Sequence, residues 1–146
     1  MSYSTSVKIL GAGPTGSLLA IALANIGTHV TIVDPLSPTD LINRNRAYAI
    51  NHSSKQLLEK LGLWHDLKSV SYPFSKLLLR DQYLKESILF TNLDLITRGD
   101  SEDQIGWILD HKNLMNVLLE KIKSYTSILE FLGTNEHLND KINSFD

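Results

Sequence analysis

Val7-Lys8-Ile9-Leu10-Gly11-Ala12-Gly13-Pro14-Thr15-Gly16-Ser17-Leu18-Leu19-Ala20-Ile21-Ala22-Leu23-Ala24-Asn25-Ile26-Gly27 opens on a short apolar run and closes on a long one, with three glycines between. Val7–Leu10 reads as a strand. Pro14–Ile26 reads as a helix buried on most sides, stopped by Gly27 as by a C-cap. His29–Val33, β-branched from Val30 onward, reads as a second strand, which completes a right-handed β-α-β unit. The hexapeptide Gly11–Gly16 is therefore a G-x-G-x-x-G between strand and helix, the context in which it means dinucleotide binding. Gly11 permits the tight turn, Gly13 lets a pyrophosphate approach the backbone, and Gly16 lets helix and strand pack closely. Pro14 and Thr15 open the helix, where free N–H groups and the dipole favour phosphate, and Pro14 loses nothing by lacking an N–H there.

Asp34 ends the second strand, 23 positions after Gly11. A carboxylate at that point accepts hydrogen bonds from an adenosine ribose and repels a 2′-phosphate, so NADP is disfavoured as the tightly held dinucleotide. The fingerprint leaves NAD and FAD open. The plain alternative is a tight turn between strand and helix, with Asp34 a solvated strand end.

Beyond Asp34 the pattern changes. Pro35 and Pro38 break regular structure, and Ser37–Asn45 reads as an exposed loop, with Arg44 and Arg46 at its end. Asn51–Ser54 can cap a helix to about Leu61, with Leu57, Leu58 and Leu61 on one face and Gly62 after it. Ser75–Arg80 and Glu86–Thr91 read as strands about a turn at Tyr83–Lys85, and Leu77–Leu79 reads as a strand buried on both faces. Ile105–Leu109 is a third strand candidate. Leu114, Val117, Leu118, Lys121 and Ile122 mark a helix over Lys112–Tyr125, Ile128–Leu132 a last strand, and Gly133–Asp146 a polar tail with His137. Trp64 and Trp107 read as packing anchors. The fold class is α/β: a Rossmann-like β-α-β followed by a strand-rich region.

The chain has 146 residues, 42% hydrophobic and 21% charged, which suits one folded domain rather than a disordered chain. The net charge of −2 argues against a nucleic-acid partner. It is unevenly placed, about +3 over residues 1–99 and −5 over 100–146, which suggests a weakly basic ligand-facing half, although solvated faces often give the same asymmetry. With no cysteine, a disulfide scaffold, a thiolate metal site and a cysteine nucleophile are excluded, and a reducing, cytoplasmic setting fits. His29, His52, His65 and His137 show no metal-ligand spacing. Met1–Ser6 lacks a basic signal-peptide region, and the apolar stretch Leu18–Ala24 is far short of the ~20 residues that span a bilayer.

Three stretches carry a family resemblance. They are Val7–Pro35; then Arg46-Ala47-Tyr48-Ala49-Ile50 with Ser53 or Ser54 and Leu61-Gly62-Leu63-Trp64; then Gly106-Trp107-Ile108-Leu109-Asp110-His111 with Leu114 and Leu118. Together they resemble the flavoprotein aromatic hydroxylases, the family of para-hydroxybenzoate hydroxylase, and most closely its ubiquinone-biosynthesis branch. The resemblance implies FAD as the bound cofactor and NAD(P)H as a transient reductant. It implies transfer of OH to an activated ring, here a polyprenyl phenol. It places the Arg46 guanidinium against FAD, where a fork of fixed donors suits a pyrophosphate; a surface arginine in a polar loop is the competing reading, and for Arg44 the two readings are evenly balanced. It places His111 where relatives carry Asn or Gln facing the flavin side; a partly exposed structural histidine is the competing reading. A lipid-like substrate also implies peripheral membrane association of the whole protein.

The resemblance covers only the N-terminal part of the family pattern. The Asp-Gly motif, linked to FAD and NAD(P)H, and the Gly-Asp motif, which contacts ribityl and pyrophosphate, find no match. Residues 1–146 are thus expected to be the N-terminal portion of an FAD-binding domain, with 70–110 a strand-rich part of the substrate region. Such a fragment or truncated gene product is expected to be inactive alone and to self-associate. The candidate cofactor residues are Gly11, Gly13, Pro14, Thr15, Gly16, Asp34, Arg46 and His111; no catalytic acid or base is assigned. The alternative function is a nucleotide-binding module without hydroxylase activity, either an NAD-linked dehydrogenase domain or a degenerate flavoprotein remnant.

Overall fold

β-Branched runs, glycine stops and Asn/Ser caps set a succession of short elements in the computed structural model, which describes residues 6–96 and 104–134. In chain order they are β1 (Ser6–Leu10), α1 (Pro14–Asn25), β2 (His29–Asp34), α2 (Pro38–Ile42), β3 (Ala47–Ile50), α3 (His52–Lys60) and α4 (Trp64–Lys68). Then follow β4 (Ser71–Phe74), β5 (Lys76–Arg80), β6 (Ser87–Thr91), α5 (Leu93–Ile96), β7 (Gly106–Asp110), α6 (His111–Lys123) and β8 (Ile128–Leu132). The polar tail beyond Thr134, with His137, lies outside the described residues. Two compact units form: the chain up to Arg46 together with the chain from His111, and Ala47–Asp110 between them.

The first unit is built on a parallel sheet of order β1-β2-β8, with Leu10 opposite Val33 and Val33 opposite Phe131. Read from β8 to β1, this is the 3-2-1 half of a doubly wound sheet. The central strand buries Val30, Ile32, Val33 and Asp34, which is why it is β-branched without alternation. α6 buries Leu114, Met115, Leu118, Leu119 and Ile122 and packs against α1. The Tyr125 hydroxyl donates to the Asn25 side-chain carbonyl at the far end of the same pair.

Three expectations for this unit change. α1 is buried on one stripe only, Ser17, Ala20, Ile21 and Ala24, while Leu19 and Ile26 are exposed. Ser17, Ala20 and Ala24 allow close approach beside the buried Ile21, while Leu19 points away. Within Ser37–Asn45, α2 replaces the exposed loop. Ser37 Oγ accepts the Asp40 N–H at 3.2 Å, Pro38 occupies the first turn, and Leu41 is 1% exposed. Finally, the buried face of α6 runs through Met115 and Leu119 rather than Val117 and Lys121, which are only half-buried.

The second unit holds an antiparallel sheet of order β3-β7-β4. Neither flanking strand was legible: Ala47–Ile50 is short, and Ser71–Phe74 carries Pro73, tolerated because β4 is an edge. Asn51 caps α3 by accepting the Ser54 N–H at 2.8 Å. Leu58 and Leu61 are buried, but Leu57 is exposed, which removes it from the expected face. Trp64 and Trp107 are buried and meet edge to face at 5.2 Å, as anchors should. Gly106 has no room for a side chain, since a Cβ would stand 2.7 Å from the Ile50 carbonyl oxygen.

β5 and β6 form a two-stranded hairpin, with Leu77, Leu78 and Leu79 opposite Phe90, Leu89 and Ile88. These three leucines are not buried on both faces; they are 39–51% exposed, because no third strand joins the hairpin among the described residues. Asp81 shapes the turn by accepting the Tyr83 and Leu84 N–H groups, and these bonds hold its carboxyl below the ordinary carboxylate range.

Candidate functional site

The C-terminal ends of β1, β2 and β8 converge, which is where open α/β sheets bind ligands. The Gly11 N–H donates to the Val33 carbonyl at 2.7 Å, and the Gly133 N–H to the Asp34 carbonyl at 3.0 Å. Gly11, Ala12 and Gly13 then lead into the N-terminus of α1.

The three glycines of the loop are there for three different reasons. Gly11 has φ +104°, a conformation side chains disfavour. Gly16 has no space: a Cβ would sit 1.9 Å from the Gly11 carbonyl oxygen. Gly13 caps α1 with φ −67° and ψ −177°, an ordinary extended conformation, and a Cβ there would meet nothing within 4 Å. The protein itself gives no reason for glycine at Gly13. The open space beside the N-terminus of α1 is the cradle that a pyrophosphate needs and a methyl would fill. Pro14 and Thr15 stand at that N-terminus, as expected.

Asp34 is 7% exposed, and its two carboxylate oxygens are placed separately. Oδ2 accepts the Ala12 N–H at 2.8 Å, and Oδ1 accepts the Leu36 N–H at 2.9 Å. The carboxylate thus ties the glycine loop to the end of β2. Each oxygen of an ionised carboxylate can accept a second bond, so capacity for ribose hydroxyls remains. Ser17, which the motif did not single out, contributes too: its buried Oγ donates to the Ala12 carbonyl at 2.9 Å, fixing the loop from the helix side. A hydroxyl just before the apolar run of the helix was its only sequence signal.

Arg44 and Arg46 are exposed, in the segment between α2 and β3. His111 is 1% exposed rather than partly exposed. Its ring Nε2–H donates to the Leu41 carbonyl at 2.7 Å, and its backbone N–H to the Arg46 carbonyl at 2.9 Å. The loop, Asp34, Arg46 and His111 all belong to the first unit. Among the described residues no cluster of His, Asp or Glu could hold a metal ion, and no helix is long and apolar enough to cross a membrane.

Residues 4–95 match the family described as FAD binding domain. The ubiquinone hydroxylase UbiM of Neisseria meningitidis is 24% identical over 132 residues, which cover 88% of this chain and 28% of that protein. The p-hydroxybenzoate hydroxylase of Acinetobacter baylyi is 31% identical over 114 residues, 78% of this chain and 28% of that protein. Among solved structures, the p-nitrophenol 4-monooxygenase PnpA of Pseudomonas putida superposes with a TM-score of 0.69 at 19% identity, over 88% of this chain and 32% of that one. The chain therefore spans between a quarter and a third of the length of these relatives.

Proposed function

This chain belongs to the FAD-binding domain family, and on that premise we propose that it is the adenosine-and-pyrophosphate-binding part of an aromatic-ring monooxygenase. The observation that carries the reading is the unfilled space at Gly13, beside a helix N-terminus and above a carboxylate fixed at the end of β2. That open space supports a pyrophosphate approaching the backbone at Gly13. Gly13, Thr15 and Gly16 receive the pyrophosphate through backbone N–H groups, while Gly11 makes the turn and Pro14 opens the helix. Asp34 accepts from the ribose, and Arg46 adds a guanidinium fork. FAD supplies the redox and oxygen chemistry; the chain supplies its position.

The route of the chain favours a hydroxylase over a dehydrogenase. A dehydrogenase domain continues from its second strand through a helix to a third parallel strand. Here β2 is followed by the arginine segment and the separate unit Ala47–Asp110, before α6 and β8 resume the parallel sheet. The substrate proposed is a polyprenyl phenol of quinone biosynthesis, with NAD(P)H as reductant and the protein peripheral to a membrane. The relatives named ubiquinone hydroxylase UbiM and, in Dictyostelium discoideum, ubiquinone biosynthesis monooxygenase COQ6 support that choice.

The test is purification of the protein in its full length. The expected outcome is a yellow protein that releases FAD on denaturation and oxidises NAD(P)H faster when a prenylated phenol is present. A colourless protein that binds NAD instead would replace this reading with the nucleotide-binding module.

A further inference from the structure

Arg44 and Arg46 stand on residues 43–46, which belong to neither helix nor strand. The backbone N–H groups of the segment donate to near neighbours: Asn43 to the Thr39 carbonyl at 3.0 Å, Arg44 to the Ile42 carbonyl at 2.9 Å and Arg46 to the Arg44 carbonyl at 3.1 Å. Such short-range bonds do not fix a direction in space. The α2 helix that precedes the segment has five residues, too few to be stable by its own hydrogen bonds. Two exposed cations on such a segment would sweep a wide arc unless something outside it held both ends.

One residue does. The His111 ring donates to the Leu41 carbonyl, in the last turn of α2 just before the segment, at 2.7 Å. The same residue's backbone N–H donates to the Arg46 carbonyl, at the end of the segment, at 2.9 Å. A carbonyl only accepts, so the proton is on Nε2. His111 is 1% exposed and opens α6, which is anchored by five buried apolar side chains. The clamp therefore has a rigid base, and water does not compete for the ring.

We infer that His111 is the positioning residue of the arginine segment: it holds residues 42–46 at both ends and thereby sets where the guanidiniums of Arg44 and Arg46 meet the cofactor. The inference rests on the reading that Arg46 faces FAD and extends it to Arg44, two residues away on the same exposed segment. It moves His111 from the cofactor surface to the frame behind it. Leu41 contributes through its carbonyl, and its buried side chain keeps that carbonyl facing the ring.

The experiment compares His111→Leu and His111→Gln with wild type, each also on an Arg44→Ala/Arg46→Ala background, in the full-length protein. His111→Leu should weaken FAD binding roughly 10-fold, the size of a lost buried hydrogen bond. His111→Gln keeps an N–H donor and should stay within about twofold of wild type. On the double-alanine background His111→Leu should change affinity by less than about twofold, because its effect runs through groups already removed. In the cofactor-free protein, His111→Leu should also speed tryptic cleavage after Arg44 and Arg46 with cleavage elsewhere unchanged, since a freed segment opens locally. The same 10-fold loss on both backgrounds, or unchanged cleavage, overturns the inference. If the double-alanine protein itself binds FAD as wild type does, it is the assignment of the arginines that fails, and the cofactor role of the clamp falls with it. Should His111→Leu not fold, His111→Gln decides: retained affinity and protease resistance support the clamp, and loss of both overturns it.

Discussion

Replacing Gly13 and Gly16 by alanine, one at a time, separates a glycine kept for a ligand from one kept for the fold. At Gly16 the new Cβ falls 1.9 Å from the Gly11 carbonyl oxygen, 3.0 Å from its carbonyl carbon and 3.3 Å from Ile9 Cγ2. Ordinary contact needs about 1.5 Å more, and the atoms in the way are backbone, so α1 and β1 must part. Such overpacking costs ~1–3 kcal/mol, and more where backbone must move. At Gly13 a Cβ meets nothing within 4 Å, and φ −67° suits alanine. Restricting the unfolded chain favours alanine by ~0.4–1 kcal/mol, while alanine is a poorer N-cap than glycine by a comparable amount, of order ~1 kcal/mol. The two nearly cancel. Cofactor-free Gly13→Ala should therefore melt within about 4 °C of wild type, and Gly16→Ala well below it. FAD binding should show the opposite contrast. The methyl occupies the place of the pyrophosphate, and losing one charge-assisted hydrogen bond of ~1.5–3 kcal/mol weakens binding roughly 10- to 150-fold. Thermal denaturation without FAD and equilibrium titration with FAD measure both quantities. A Gly13→Ala protein with full FAD occupancy, or one that unfolds as readily as Gly16→Ala, would refute the reasoning.

Asp34→Asn should lower the melting temperature even without cofactor, because the amide NH2 turns a donor toward the N–H of Ala12 or Leu36; an unsatisfied pair of this kind costs ~1–3 kcal/mol. Unchanged stability of the cofactor-free variant would mean the carboxylate does not hold the loop. Glu130, on β8, has its carboxyl pushed up by burial and only partly drawn back by Lys123. A raised folded-state pKa means stability is fully present below the unfolded value and falls as pH rises through the folded one. Glu130→Gln should thus melt slightly above wild type at pH 7 and show no advantage below about pH 4, near the unfolded glutamate pKa; a constant difference across that range would be the contrary result. Residues 1–146 taken alone should be colourless and self-associate through the β5–β6 hairpin, whose apolar side chains face solvent. Size-exclusion chromatography with flavin absorbance checks this, Leu79→Lys should reduce the association, and a yellow monomer would contradict it.

The parallel half of the molecule was written in local signals. Val7–Leu10, Gly11–Gly16, the apolar helix, His29–Val33 and Ile128–Leu132 each declare themselves within a few residues, because a turn that needs glycine and short apolar, β-branched runs restrict the residue types on the spot, most of all in the buried central strand. What the sequence could not declare depends on partners far along the chain. Ser37–Asn45 reads as loop by composition, yet α2 forms there once Leu41 has a core to enter. Ala47–Ile50 and Ser71–Phe74 become strands only by pairing with Gly106–Asp110 on either side. Leu77–Leu79 reads as core, but burial is a property of neighbours, and no further strand covers the hairpin among the described residues. The site divides the same way. The glycine spacing and the strand-end carboxylate were legible, because strand, turn and helix start lie on one contiguous stretch. That Asp34 grips Ala12, that Gly13 alone of the three glycines is unforced, and that His111 reaches back 70 residues to the Leu41 carbonyl were decided by the tertiary structure, since only folding brings donors and acceptors so far apart in sequence within 3 Å.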